Sequence, residues 1–165
     1  MIQKKICMIG VFATGKTSLV RQFVFSMFSE KYHSTIGVKV DRKRVEVGEQ
    51  TVNLVLWDLA GRDGVEDIQP SYVRGASGIL YVVDGTRRET FDQLFELRDI
   101  CADAVGEVPS VVALNKSDLV SEWRLNEADL ERLKAEGLDH FVTSARLGDG
   151  VDEAFHRLAA ATLAG

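Results

Sequence analysis

Two short stretches carry residues whose types and spacing could do chemistry. The first is Gly10-Val11-Phe12-Ala13-Thr14-Gly15-Lys16-Thr17, a full G-x-x-x-x-G-K-T. It follows the apolar run Ile6-Cys7-Met8-Ile9 and precedes residues at helical spacing. In that strand-to-helix context such a loop wraps a phosphate chain. Backbone N–H groups turn inward, and the dipole of the helix that starts near Lys16 favours the same anion. Lys16 adds a full charge at the terminal phosphates, and the Thr17 hydroxyl is a ligand for Mg²⁺. The second stretch, Asn115-Lys116-Ser117-Asp118, also follows an apolar run. The Asp118 carboxylate can accept two hydrogen bonds, from the ring N–H and the exocyclic amine of guanine. Adenine presents an acceptor in place of that ring N–H and would leave the carboxylate unpaired, which can discriminate strongly. The Lys116 stem can cover one face of the base.

Both stretches need elements that hold them at one edge. Ile6–Ile9 reads as a buried strand, and Leu19, Val20, Phe23, Val24 and Met27 recur at helical spacing. Val38–Val47 and Thr51–Trp57 read as two strands of a hairpin turning at Gly48-Glu49. A short, weakly patterned helix is predicted over Ile68–Val73. Gly78–Val83 is a β-branched and aromatic strand, and a helix carries Phe91, Leu94, Phe95, Leu97 and Cys101. Ser110–Leu114 is a further strand, and Leu125–Ala135 a helix with Asn126 or Ser121 as candidate caps. His140–Thr143 is a short strand, and Val151, Ala154, Phe155, Leu158 and Ala159 form the stripe of a closing helix. This alternation predicts an α/β fold: a six-stranded, mostly parallel sheet with one antiparallel strand and helices on both faces. In such sheets ligands bind at the carboxyl ends of the strands, where both stretches fall.

Composition sets the limits. The 165 residues suit one domain, 1–165, with 45% hydrophobic and 27% charged residues. Twenty basic against 25 acidic side chains leave a net charge of −5, which argues against coating a nucleic acid polymer. Phosphate must therefore be bound locally and by geometry. Cys7 and Cys101 lie in no metal or redox spacing and read as buried free thiols of a reducing, cytoplasmic compartment. His33, His140 and His156 share no metal-ligand spacing. Ile2 stands where myristoylation needs glycine, and Leu163-Ala164-Gly165 holds no cysteine for prenylation, so no membrane anchor is expected in this chain. Glu127, Asp129, Glu131 and Arg132 read as a solvated helix face, and Trp57 is expected to pack under the hairpin.

With these motifs the sequence resembles the Ras superfamily of small GTPases over essentially its whole length. The resemblance rests on the phosphate loop, Tyr32-His33-Ser34-Thr35-Ile36-Gly37-Val38, Trp57-Asp58-Leu59-Ala60-Gly61, Asn115-Lys116-Ser117-Asp118 and Ser144-Ala145-Arg146. Thr35-Ile36-Gly37-Val38 and Ser71-Tyr72-Val73-Arg74-Gly75-Ala76 look most like the Rab branch. The resemblance implies a switch that binds GTP and GDP with Mg²⁺ and hydrolyses GTP slowly. It would signal to effector, exchange and activating proteins through regions near 30–40 and 60–76. Val11, Phe12, Ala13, Thr14, Gly15, Lys16, Thr17 and Ser18 would hold the phosphates. Thr17, Thr35 and, through water, Asp58 would hold Mg²⁺. Thr35 and the backbone N–H of Gly61 would meet the γ-phosphate, placing both with Lys16 and Arg62 among the catalytic candidates. Phe28 would touch guanine or belong to the helix core. The Ala145 N–H would meet the guanine carbonyl oxygen, with Ser144 shaping the turn and Arg146 replacing the usual lysine. Ile36, Val38, Tyr72 and Val73 would form an apolar effector patch or belong in half to the core. A monomer is expected.

Two residues depart from the family pattern. Arg62 stands where glutamine usually orients the attacking water. A guanidinium has only donors, so it cannot accept a hydrogen bond from that water. It either turns to solvent, leaving hydrolysis slow, or stabilises developing phosphoryl charge as an arginine finger does. Phe12 replaces a small residue and would crowd the γ-phosphate side or turn outward onto the second switch. Two other readings stay open: a hydrolysis-deficient nucleotide-binding scaffold, and an ATP-using P-loop kinase.

Overall fold

The computed structural model describes residues 2–29, 37–59 and 69–164. Thr35, Ile36, Gly61 and Arg62 lie outside the described residues.

Six strands build one sheet among the described residues: β1 (Ile2–Ile9), β2 (Val38–Val47), β3 (Gln50–Leu59), β4 (Gly78–Asp84), β5 (Ser110–Asn115) and β6 (Asp139–Val142). Their spatial order is β2-β3-β1-β4-β5-β6. Only β2 and β3 run antiparallel, through the short turn at Gly48-Glu49; the other pairs are parallel. The helices are α1 (Lys16–Phe25), α2 (Pro70–Val73), α3 (Arg88–Val105), α4 (Glu127–Ala135) and α5 (Val151–Ala164). The alternation read from the apolar runs is therefore the architecture observed.

Successive side chains of a strand point to opposite faces, so the sheet feeds two cores. On one face Ile6, Met8, Leu54, Leu56, Leu80 and Val82 pack with Leu19 and Phe23 of α1 and Phe155 and Leu158 of α5. The Phe23 and Phe155 rings stack with centroids 4.1 Å apart. On the other face Cys7, Ile9, Tyr81, Val83 and Val112 pack with Phe91, Leu94 and Phe95 of α3 and Leu133 of α4. The central strand β4 is buried at every position, as a strand covered on both faces must be. Register then aligns the chemistry: Met8 pairs with Asp58, and Asp84 pairs with Asn115. The carboxyl ends of β1, β3, β4 and β5 thus share one edge.

Several local expectations are corrected. Helix α1 stops at Phe25, where Ser26 turns left-handed and its N–H closes on the Gln22 carbonyl at 3.0 Å. Met27, assigned to the apolar stripe, lies beyond that stop and is exposed. Trp57 does not pack under the hairpin. Its ring meets the edge of Tyr72 and lies under the Lys5 ammonium, whose Nζ donates to the Tyr72 and Arg74 carbonyls. Asp129 is not on a solvated face. It is buried because it closes a capping box with Asn126 and takes a two-pronged ion pair from Arg88, at 2.6 and 2.8 Å. Tyr72 and Val73 belong to the core, while Val38 is exposed. No described helix is long and apolar enough to cross a membrane.

Candidate functional site

The phosphate-loop residues run from the end of β1 to the start of α1. Its conformation needs glycine at two points. Gly15 has φ 103°, and a Cβ there would lie 2.3 Å from Asn115 Nδ2. A Cβ on Gly10 would lie 2.6 Å from the Val82 carbonyl oxygen. The loop carbonyls are turned onto donors. Lys16 Nζ donates to Gly10 O at 2.8 Å, and the Thr14 hydroxyl donates to Val11 O at 3.0 Å. Lys116 Nζ donates to Ala13 O at 2.9 Å, and Asn115 Nδ2 donates to Thr14 O at 3.1 Å.

Lys16 is only 6% exposed. Burial pulls its pKa down to about 8, against an opposing pull from Asp58. The ammonium is thus held in a dry place where an anion would restore its ordinary basicity. The Thr17 hydroxyl donates to Asp58 Oδ2 at 2.5 Å, bringing a hydroxyl and a carboxylate oxygen together at the loop. Hard oxygens of this kind suit Mg²⁺, so the donor set fits that ion. Ser18 is half-buried in the first turn of α1. Phe12 is 38% exposed, and Phe28 is 40% exposed beyond the end of α1. The helix-core reading of Phe28 is therefore set aside.

The base-loop side chains converge on the same edge. Asn115 is buried, and its Oδ1 accepts from the Thr143 hydroxyl at 3.1 Å and from the Ala145 N–H at 3.3 Å. The Ala145 N–H thus faces Asn115, a partner the resemblance did not assign to it. The Ala145 carbonyl accepts from Gln22 Nε2 at 3.0 Å, fixing this turn to α1. The Ser144 hydroxyl donates to Asp118 Oδ1 at 2.8 Å and accepts the Leu147 N–H at 3.0 Å. One Asp118 oxygen is thereby oriented by the following turn. Arg146 is exposed.

Asp84 is a member that sequence reading missed. It ends β4 and is buried, with Thr86, Arg87 and Lys116 around its carboxylate. Burial pushes its pKa up, but hydrogen bonds from Lys116 and Thr86 outweigh that and leave it below the ordinary value. The available signal was an acidic residue closing an otherwise apolar strand at the ligand edge. Among the described residues no cluster of three or more His, Cys, Asp or Glu side chains could hold a metal.

Comparison with known proteins agrees with this edge. The family model described as "Ras family" matches residues 5–164. The chain is 38% identical to Ras-related protein Rab-1 of Theileria parva over 161 residues, 95% of this chain and 73% of that protein. It is 37% identical to human Ras-related protein Rab-4B over 157 residues, 94% of this chain and 74% of that one. Against Rab-13 of Mesocricetus auratus the identity is 33%, over 94% of this chain and 77% of the relative. These likenesses speak for GTP over ATP and lend no support to a scaffold without turnover. With its loops gathered at one edge of a Ras-like sheet, the chain belongs to the Ras family, as a Rab-like GTP-binding switch GTPase.

Proposed function

We propose that residues 1–165 form one monomeric domain that binds GTP or GDP with Mg²⁺ in the cradle of residues 11–18, closed by Asn115, Lys116, Asp118 and 144–146. The observation that carries this reading is Asn115. Its amide spans the two loops, donating to Thr14 and accepting from Thr143 and Ala145, so the phosphate and base contacts are built as one unit. A ligand that carries phosphates at one end and guanine at the other is what such a unit fits. Thr17, Thr35 and Asp58 would hold Mg²⁺, which supplies charge neutralisation at the phosphate oxygens. Thr35, Gly61 and Arg62 would meet the γ-phosphate side, with Lys16 stabilising charge there. Regions near 30–40 and 60–76 would change between the two nucleotide states and present the chain to effectors and regulators.

Hydrolysis is proposed to be weak. Arg62 offers the attacking water no acceptor, and the Phe12 ring stands at the loop where a small side chain would leave space. The test is identification of the co-purified nucleotide by chromatography, followed by single-turnover hydrolysis. Guanine nucleotide is expected, with a rate below the roughly 10⁻⁴ to 10⁻³ s⁻¹ of an unassisted family member. Arg62→Gln and Phe12→Gly should each raise it. Ordinary family rates unmoved by both substitutions would refute the proposed weakness.

A further inference from the structure

The carbonyls of Gly10, Val11, Ala13 and Thr14 take donors from Lys16, Thr14, Lys116 and Asn115, all within the two loops themselves. The carbonyl of Phe12 takes its donor from elsewhere. Arg87, at the amino end of α3, donates from Nη2 to Phe12 O at 2.6 Å. The same guanidinium donates from Nε to Asp84 Oδ2 at 3.0 Å. That carboxylate oxygen also holds Lys116 Nζ at 2.8 Å, and Lys116 in turn holds Ala13 O. One buried carboxylate thus steadies two cations, each gripping one of two consecutive loop carbonyls.

A trans peptide is planar, so its N–H points opposite to its C=O. Drawing the carbonyls of Phe12, Ala13 and Thr14 toward Arg87, Lys116 and Asn115 therefore aims the N–H groups of Ala13, Thr14 and Gly15 away from those donors. Successive N–H groups aimed to one side make an anion nest. We propose that Arg87 is a positioning residue for the phosphate loop: anchored on Asp84, it holds the Phe12 carbonyl and so presets the Ala13 N–H for the phosphate chain. The inference rests on the reading that this loop holds a guanine nucleotide. Arg87 acts through the loop backbone and touches no reacting atom.

The test uses the nucleotide-loaded full chain and the variants Arg87→Ala and Arg87→Gln. Loss of one charge-assisted hydrogen bond predicts GDP leaving about tenfold faster from Arg87→Ala. GMP places a single phosphate in the loop and fills less of the nest, so its affinity should fall by less than about threefold, well short of the effect on GDP. Arg87→Gln keeps a donor without the charge and should lie between. Should the alanine variant fold poorly, the GDP-to-GMP ratio of the glutamine variant decides. An unchanged GDP dissociation rate would overturn the proposal. So would equal losses for GDP and GMP, which a general loosening of α3 would produce. A parent chain that binds no guanine nucleotide would instead overturn the underlying reading of the loop.

Discussion

Asn115 and Thr14 lie 101 residues apart in the chain, yet the Asn115 amide donates to the Thr14 carbonyl at 3.1 Å. This bond ties the two loops together, and in the proposed reading the spacing it holds sets the length of ligand that both take at once. Asn115→Ala would leave buried groups of Thr14, Thr143 and Ala145 short of a partner, at about 1–3 kcal/mol for each unsatisfied group. GDP dissociation, followed with a fluorescent analogue, is expected to accelerate by at least about tenfold. An unchanged rate would mean that the two loops keep their spacing without the amide.

Asp118 is proposed to set the choice of base, and the Ser144 hydroxyl donates to its Oδ1 at 2.8 Å. Asp118→Asn replaces one acceptor oxygen by a donor, so guanine loses a partner and xanthine, with a carbonyl in place of the amine, gains one. Competition binding should show preference moving from GDP toward xanthosine diphosphate. Ser144→Ala, which removes the orienting donor while keeping the carboxylate, should weaken GDP without moving the preference. A preference for adenine nucleotides in the parent chain would contradict both expectations.

The stacked pair Phe23 and Phe155 joins α1 to α5 beneath the sheet, with centroids 4.1 Å apart. Phe155 is fully buried, so Phe155→Ala removes both its burial and its stacking partner. The expected cost is about 3–5 kcal/mol in denaturant unfolding of the GDP-loaded protein. Because α1 opens with Lys16 and Thr17, the same variant should also release GDP faster. A stability loss below about 1 kcal/mol would show that the neighbouring side chains refill the space.

Sequence made most of the edge legible because its signals are local. Gly10, Gly15, Lys16 and Thr17 sit in one loop, and Asn115 to Asp118 follow one apolar run. The alternation of strands and helices followed from the same apolar runs, whereas the strand order is seen in the structure, with β4 buried throughout. Asp84, Arg87 and Asp129 were not legible. Each looks like ordinary surface charge until a distant partner covers it: Lys116 and Arg87 on Asp84, Phe12 on Arg87, Arg88 on Asp129. Trp57 was misplaced for a related reason, because the residues that meet its ring, Lys5 and Tyr72, come from β1 and α2.

Lys16 predicts a pH dependence with a definite sign. Its pKa is pulled down to about 8 by burial, against an ordinary value of 10.5. Between those values an unfolded chain binds the proton that the folded, nucleotide-free chain has lost, so stability of the nucleotide-free protein rises with pH across that window. Nucleotide reverses the balance. Phosphate oxygens beside the ammonium favour its charged form, so binding above pH 8 takes up a proton. GDP affinity should therefore be level below that pH and decline above it, by up to about tenfold per pH unit. The nucleotide has titrations of its own, and Lys16→Met separates them: its weaker affinity should lack the component that the lysine contributes. Affinity curves of parent and variant that stay parallel from pH 7 to about 9.5 would show that Lys16 remains charged in the nucleotide-free protein, and that the loop shields it less than its burial implies.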